Sequence, residues 1–217
     1  MSTATKLPEA WKATLESACQ AEGILLLGFT HLEYRQDFER FQKWLGEKRH
    51  AELSYLERHL EVRKEPSKLL EGAQSAAIVA IAYFHEEKKS GPQVARYALY
   101  PDYHRVLKKK ATRAAEAVFE KGTFRVTVDS APLLERALAA KTARGFVGKN
   151  TLYIHPQYGS FLLLGEILTQ AQLPADSPPQ ISIDRKTREG GCGPCKLCQT
   201  ACPTGALDRA YSLETNR

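Results

Sequence analysis

Two continuous apolar runs dominate the hydrophobic pattern of the chain. The first covers Ile24–Phe29, and the second covers Ala76–Phe84 and contains three β-branched residues. Runs of this length without a polar interruption are typical of strands that are buried on both faces. Weaker strand patterns follow at Thr123–Val128, Thr151–Ile154 and Phe161–Leu168.

Apolar residues at helical spacing predict helices before and between these strands. The predicted helices cover Leu7–Glu22, Gln36–Lys48, Glu52–Leu60, Tyr103–Lys121 and Pro132–Thr142. The alternation of helices and strands predicts an α/β or α+β domain over residues 1–173. Residues 174–190 are predicted to form a linker, because several prolines lie near their start. A small cysteine-rich module over residues 191–217 completes the predicted organisation.

Composition adds bounds to this picture. The chain has 217 residues, of which 43% are hydrophobic and 26% charged, as in ordinary globular proteins. No apolar run reaches the roughly 18 residues of a transmembrane helix, and no signal-peptide core or twin-arginine pair is present near the start. We therefore expect a cytoplasmic protein that does not enter a membrane. The net charge of +6 suits an anionic partner such as nucleic acid, but a well-solvated basic surface would give the same value.

Four of the five cysteines lie within eleven residues near the end of the chain. Cys192, Cys195, Cys198 and Cys202 follow the spacing C-x2-C-x2-C-x3-C, with Pro203 directly after the last one. This is the pattern of bacterial-type [4Fe–4S] proteins, in which the first three thiolates hold one cluster and the fourth binds another cluster. The alternative is a zinc site, but zinc modules normally pair two C-x2-C units across a loop, and this sequence has no second unit. A second cluster motif is also absent before Arg217, so we expect either a fragment or an incompletely held cluster.

A carboxylate stands at the junction between a predicted strand and a predicted helix. Asp129 follows Val128 and precedes Pro132, which suits the first turn of a helix. Asp129 or Ser130 would then cap that helix. The alternative is a catalytic acid at a strand end, which requires a pKa raised by burial or by neighbouring charges.

Glycines at Gly145 and Gly148 suggest a tight turn close to a ligand or another backbone. The segment fails as a phosphate-binding P-loop, because Ala143 replaces the first glycine and Asn150 replaces the final Ser or Thr. Lys149 and Asn150 are candidate hydrogen-bond donors in that turn. The aromatic stretch Arg96–His104 is a further candidate ligand surface, although such a stretch is more often a partly buried loop.

Taken together, these segments resemble the epoxyqueuosine reductase family. The resemblance rests on Val128–Arg136, Gly145–Asn150, Tyr103-His104, Tyr158–Phe161 with Gly165-Glu166, and Cys192–Leu207. It implies a cytoplasmic, monomeric enzyme that carries cobalamin and two [4Fe–4S] clusters. It also implies reduction of epoxyqueuosine in tRNA to queuosine, the last step of queuosine synthesis, with electrons from an external donor.

The resemblance also implies roles for individual residues. Asp129 matches the proton donor of the family, and Cys192, Cys195, Cys198 and Cys202 match the cluster ligands. Residues implied to contact cobalamin are Arg63, Arg96, Arg136, Lys149 and Tyr153.

Three other functions remain open from the sequence. A reductive dehalogenase-like enzyme would share the cofactors but typically carries a twin-arginine export signal. A ferredoxin-like electron carrier would not need so large an α/β domain. A zinc-stabilised RNA-binding protein would be distinguished by metal analysis.

Overall fold

A four-stranded sheet organises the fold. The computed structural model describes residues 7–84, 94–177 and 191–217. The strands of the main sheet are β1 (Leu25–His31), β2 (Ser75–Ala82), β3 (Phe124–Thr127) and β6 (Leu162–Thr169), in the order β1-β2-β6-β3. All three pairings are antiparallel, so the domain is of the α+β class and lacks the parallel sheet that an α/β alternation would give. A separate two-stranded ribbon pairs β4 (Phe146–Val147) with β5 (Tyr153–Ile154).

Helices cover both faces of the main sheet. The α-helices are α1 (Trp11–Glu22), α2 (Arg35–Gly46), α3 (Leu60–Lys64), α4 (Tyr103–Glu116), α5 (Glu135–Ala140) and α6 (Leu197–Thr200). Ala77 and Val79 of β2 pack in one core with residues of α1 and α4. Ile78, between them, packs in a second core with residues of α2 and α5. This two-sided burial explains why β2 reads as a continuous apolar run and not as an alternating one.

Most predicted elements agree with the structure in kind, but one predicted helix and one unpredicted strand differ. The predicted helix Glu52–Leu60 is instead a 3-10 turn, Ser54–Glu57, followed by the short helix α3. His59 separates the two pieces because its φ of 58° lies in the left-handed region, which an α-helix does not tolerate. The helix predicted from Pro132 begins only at Glu135. Strand β4 was not predicted.

The first residues of the predicted linker belong to the sheet edge. The Asp176 N–H donates to the Phe29 carbonyl at 2.9 Å, and the Phe29 N–H donates to the Asp176 carboxylate at 2.8 Å. Gly28 allows this approach, because a Cβ at that position would lie 2.0 Å from the Asp176 carboxylate. The strand register shifts at the same place. The rest of the predicted linker, residues 178–190, lies outside the described residues.

Arg49 anchors the last ten residues to the α+β domain. Its side chain is only 4% exposed and pairs with Asp208 at 2.5 Å and Glu214 at 3.4 Å. The Arg49 carbonyl accepts the Thr215 N–H at 2.9 Å, and the nearby Trp44 indole donates to the Leu213 carbonyl at 2.7 Å. The cysteine-rich segment is therefore packed against the helical side of the domain by a buried cation and backbone hydrogen bonds. No helix among residues 7–84, 94–177 and 191–217 is both long enough and apolar enough to cross a bilayer.

Replacement of Arg49 with Met should loosen this packing. The substitution keeps the buried stem but leaves Asp208 and Glu214 without their guanidinium partner, so we expect the Tm to fall by roughly 4–8 °C. Limited proteolysis should also cut the segment after residue 177 faster than in the unmodified chain. The matched control is Arg209→Ala, because the Arg209 pair with Glu47 is largely exposed. That control should shift the Tm by no more than about 2 °C, and equal effects of the two substitutions would contradict the anchoring role of Arg49.

Candidate active site

Asp129 lies in a tight turn just after strand β3. Its backbone has a φ of 52°, in the left-handed region, and its side chain is 57% exposed. Because the sheet is antiparallel, the rule that gathers sites at the carboxyl ends of parallel strands does not explain this position. The local turn and its neighbours hold the carboxylate instead.

The N-terminus of α4 supplies the neighbours of the Asp129 carboxylate. The Tyr103 hydroxyl donates to Asp129 Oδ2 at 2.6 Å, and His104 Nε2 lies 3.1 Å from the same oxygen. On its other side, His104 Nδ1 lies 2.8 Å from Asp102 Oδ1. Asp102 also caps α4 by accepting the His104 N–H at 3.0 Å. One helix start therefore presents a phenol and an imidazole to one carboxylate oxygen.

The capping role considered for Asp129 is wrong. Helix α5 begins at Glu135 and has no side-chain cap. The contact runs the other way, because the Asp129 N–H donates to Glu135 Oε1 at 2.5 Å. The Ser130 hydroxyl donates to the Val128 carbonyl at 3.2 Å and does not cap the helix either. This leaves the Asp129 side chain directed to its α4 partners and to solvent.

Two further carboxyl groups lie beneath Asp129. Burial, together with the nearby Asp129 carboxylate, raises the pKa of Glu135 to about 7. Glu166 on β6 is 0% exposed, and burial with the neighbouring Glu135 raises its pKa well above the usual range. Thr127 donates to Glu166 Oε2 at 2.8 Å, whereas Oε1 has no hydrogen-bond partner among the described residues. Burial therefore favours the protonated form of Glu166.

Sequence reasoning did not single out Glu135 or Glu166 as ionisable groups. A signal existed for Glu166, which is a lone carboxylate inside the apolar run Leu162–Leu168. The adjacent Gly165 lets β6 approach α4 and β3, because a Cβ there would lie 3.2 Å from the Leu107 side chain and from the Thr127 carbonyl. Glu135 gave no such signal, since charged residues are common in the first turn of a helix.

His104 joins the charges around Asp129. Burial pulls the pKa of His104 down, but its contacts with Asp102 and Asp129 outweigh that effect, and the net pKa is raised. Burial and the hydrogen bond to Asp129 raise the pKa of Tyr103, so its hydroxyl keeps its proton at neutral pH. Tyr103 therefore acts as a fixed donor, whereas His104 can change charge near neutral pH.

An exposed aromatic surface adjoins these groups. The Tyr103 ring lies 6.0 Å from the Tyr97 ring, which lies 6.3 Å from the Tyr83 ring. The Arg96 guanidinium stands over the Phe84 ring at 4.8 Å and over the Phe161 ring at 5.4 Å. Large exposed apolar or aromatic side chains of this surface are Phe84, Val94, Tyr97, Leu99 and Tyr100. Exposed aromatic and apolar side chains in one region of the chain are typical of a binding surface.

Two residues that the resemblance assigns to cobalamin are buried in this structure. Arg63 donates to the Leu133 carbonyl at 3.2 Å, and its own carbonyl accepts the Tyr34 hydroxyl at 2.8 Å. Tyr153 is 3% exposed and lies under the Gly145 turn, where an added Cβ would come within 2.5 Å of its ring. Neither side chain reaches the surface beside Asp129 in this arrangement, and their cofactor role stays a prediction.

The other assigned residues make contacts of a different kind. Arg136 donates to the Thr151 carbonyl at 2.6 Å and so links α5 to the turn that contains Gly145 and Gly148, called the glycine turn below. Lys149 connects that turn to the cysteine-rich segment: its ammonium donates to the carbonyls of Gly193 at 2.6 Å and Cys195 at 2.8 Å. The Lys149 N–H donates to Cys192 Sγ at 3.3 Å. Their cofactor roles also stay predictions, as does that of Arg96.

The four clustered cysteines are free thiols on the cysteine-rich segment. Backbone N–H groups, with that of Leu207 foremost, lower the pKa of Cys202 to about 7. Among residues 7–84, 94–177 and 191–217, no three His, Cys, Asp or Glu side chains converge to hold a single metal ion. Thiolate-stabilising N–H groups at Cys192 and Cys202 suit a cluster ligand set.

The buried Glu166 should make the protein less stable as the pH rises. Because its folded pKa lies above its unfolded value, the native state binds the extra proton, and stability falls as the pH passes above the ordinary range for Glu. Glu166→Gln removes this titration. Between about pH 5 and pH 8, the Tm of this variant should therefore fall by roughly 2–4 °C less than the Tm of the unmodified protein. The slope is the informative quantity, since the amide itself changes stability at every pH. The exposed Glu116→Gln is the control, and an unchanged slope in the Glu166 variant would contradict the assignment.

Comparison with known proteins finds one family to which the chain is similar. The family model "Epoxyqueuosine reductase QueG, DUF1730" matches residues 63–130. The epoxyqueuosine reductase of Escherichia coli K12 is 34% identical over 207 residues, which cover 90% of this chain and 52% of that relative. The chain thus spans about half the length of the curated relatives it matches.

Solved structures agree with the sequence comparisons. The epoxyqueuosine reductase of Streptococcus thermophilus superposes with a TM-score of 0.81 at 28% identity, over 96% of this chain and 56% of that one. An epoxyqueuosine reductase crystallised with an epoxyqueuosine-modified tRNA-Tyr stem loop gives a TM-score of 0.79 at 28% identity, over 95% and 55% of the two chains. The resemblance predicted from the motifs is confirmed: over the length it spans, this chain is similar in sequence and in fold to epoxyqueuosine reductases.

Proposed function

We propose that this chain carries the proton-donating half of an epoxyqueuosine reductase, which converts epoxyqueuosine in tRNA to queuosine. The observation that carries the proposal is the exposed Asp129 carboxyl group, bound by Tyr103 and His104 beside an aromatic surface, in a chain similar to this family. A solved relative holds an epoxyqueuosine-modified tRNA stem loop, which supports tRNA as the substrate.

Asp129 is the group suited to protonate the departing oxygen. Removal of an epoxide oxygen as water leaves a carbon–carbon double bond and consumes two electrons and two protons. The Asp129 carboxyl group is open to solvent on one side and hydrogen-bonded on the other. It can deliver a proton to a substrate oxygen once it has taken one from His104 or from water.

The aromatic surface beside Asp129 fits the flat face of a cobalamin. Phe84, Tyr97 and Leu99 are each about half exposed, and a bound corrin ring would bury them. Arg96 lies over two rings of that surface, where its charge is available to the polar side chains of the cofactor. Bound cobalamin would supply the reducing electrons to the epoxide carbon. The protein orients the substrate over the surface and brings Asp129 to the oxygen.

The cysteine-rich segment fits the start of a ferredoxin-like module. Cys192, Cys195 and Cys198 would bind one [4Fe–4S] cluster, and Cys202 would serve a second. Lys149 holds this segment close to the glycine turn, which α5 and Arg136 connect to the Asp129 turn. This arrangement supports electron entry from an external donor through the clusters.

Iron analysis tests the cluster assignment. After anaerobic reconstitution the protein should contain iron and sulfide and absorb broadly in the visible, because thiolates transfer charge to iron. Cys198→Ser should lose most of the iron, whereas Cys19→Ala should keep it, since Cys19 is buried in the core of the domain. Zinc without iron in the reconstituted protein would contradict the cluster assignment.

The substitution Asp129→Asn tests whether Asp129 is the proton donor. Asp129→Asn keeps an oxygen for Tyr103 and His104 but supplies no acidic proton, so turnover of epoxyqueuosine in tRNA should fall by about 10²–10⁴-fold. Assays need the protein loaded with clusters and cobalamin. Hydroxocobalamin titration and the Tm should be unchanged, which separates loss of chemistry from loss of binding or fold. Turnover near that of the unmodified protein would mean that the proton comes from another group.

A further inference from the structure

The backbone of Asp129 adopts an unfavourable conformation that other contacts must stabilise. A left-handed φ is unfavourable for a residue with a Cβ, although Asp tolerates it better than most, and Asp129 adopts it. The turn is short, with the Ser130 N–H donating to the Val128 carbonyl at 2.5 Å. These local contacts fix the residues after Asp129 but leave its own N–H to be satisfied by another group.

Glu135 accepts that N–H. Its Oε1 lies 2.5 Å from the Asp129 nitrogen, which is a short bond to a charged acceptor. Glu135 is the first residue of α5, and Leu138 and Ala139 of that helix are buried in the core beneath the sheet. The oxygen that accepts the Asp129 N–H therefore belongs to a helix that is fixed by its packing in the core.

We propose that Glu135 is a positioning residue, whose carboxylate fixes the backbone of Asp129 so that the Asp129 side chain meets Tyr103 and His104. The consequence for catalysis rests on the proposed function, whereas the contact itself does not. Asp129, Tyr103 and His104 come from two elements, the β3–α5 turn and the start of α4. Glu135 fixes the first of these elements, the turn, to helix α5.

The surroundings of Glu135 make this link sensitive to pH. The acidic neighbours of Glu135 are Asp129 and the buried Glu166, and its basic neighbours are Arg136, His104 and Arg63. The Tyr103 phenol also lies close enough to feel its charge. Burial and the Asp129 charge raise its pKa to about 7, so it gains a proton as the pH falls through neutrality. A neutral carboxyl accepts an N–H bond about half as strongly as a carboxylate. This hydrogen bond should therefore strengthen as the pH rises through about 7, while repulsion between the Glu135 and Asp129 carboxylates opposes the gain.

The unmodified chain allows a first test by NMR. In a protein labelled with ¹⁵N, the amide proton of Asp129 should shift downfield as Glu135 ionises, with a midpoint near the pKa of about 7. The shift should vanish in Glu135→Gln, which keeps an accepting oxygen but does not titrate. An Asp129 amide that does not respond between about pH 5 and pH 9 in the unmodified chain would overturn the proposal.

A pair of substitutions tests the effect on catalysis. Glu135→Leu fills the same space without an acceptor, and Glu135→Gln is the matched control. In the loaded protein, Glu135→Leu should lower kcat by about 10²-fold with KM changed by less than about 3-fold. Amide exchange over residues 128–134 should become faster in the Leu variant and stay near normal in the Gln variant.

The outcomes separate this proposal from the proposed function. If no protein turns over epoxyqueuosine, including the unmodified one, the proposed function fails, but the NMR and exchange results still decide the contact. The positioning role is supported if kcat and amide exchange are both near normal in Glu135→Gln and both altered in Glu135→Leu. Equal loss of kcat in the Leu and Gln variants, with unchanged exchange, would mean that the charge of Glu135 matters and its position does not. If the Leu variant does not fold, the NMR titration alone decides.

Discussion

Strand β6 is the element on which the rest of the arrangement depends. It pairs with β2 along its whole length and with β3 on its other side. The pairing of Thr127 with Glu166 fixes where β3 ends, and hence where the Asp129 turn leaves the sheet. Gly165 removes the side chain that would otherwise keep α4 away, so Tyr103 and His104 come within reach of Asp129. The register of one strand thus sets the geometry of the candidate site.

Two acidic side chains with raised pKa values, Glu135 and Glu166, lie together beneath Asp129. Glu166 is buried without an opposite charge, and Glu135 is held next to both Glu166 and Asp129. A core designed only for stability would carry an apolar residue at position 166. Buried acids with raised pKa values are typical of sites that move protons, and the hydrogen bonds from Thr127 and from the Asp129 backbone make them tolerable here.

The cysteine-rich segment is attached to the domain at two separate places. Lys149 bonds to its first turn, and Arg49 bonds to its last residues. Both attachments combine a cation with backbone carbonyl or amide contacts, so they fix position as well as distance. The attachment at Lys149 brings Cys192 against the glycine turn, which Arg136 joins to α5. A continuous set of contacts therefore links the cysteines to the Asp129 turn.

The sequence by itself determined the elements and the types of chemistry. The buried strand β2, the cysteine spacing and the candidate acid Asp129 could be recognised in the sequence because each depends on a local pattern. These patterns are a continuous apolar run, a fixed ligand spacing and a short motif, respectively. Only the tertiary structure decided that the sheet is antiparallel, that Arg63 and Tyr153 are buried, and that Asp129 does not cap α5. It also brought Glu135 and Glu166 together beneath Asp129 from separate elements. Such contacts join residues far apart in the chain, and strand pairing, which one sequence does not specify, determines which of them meet.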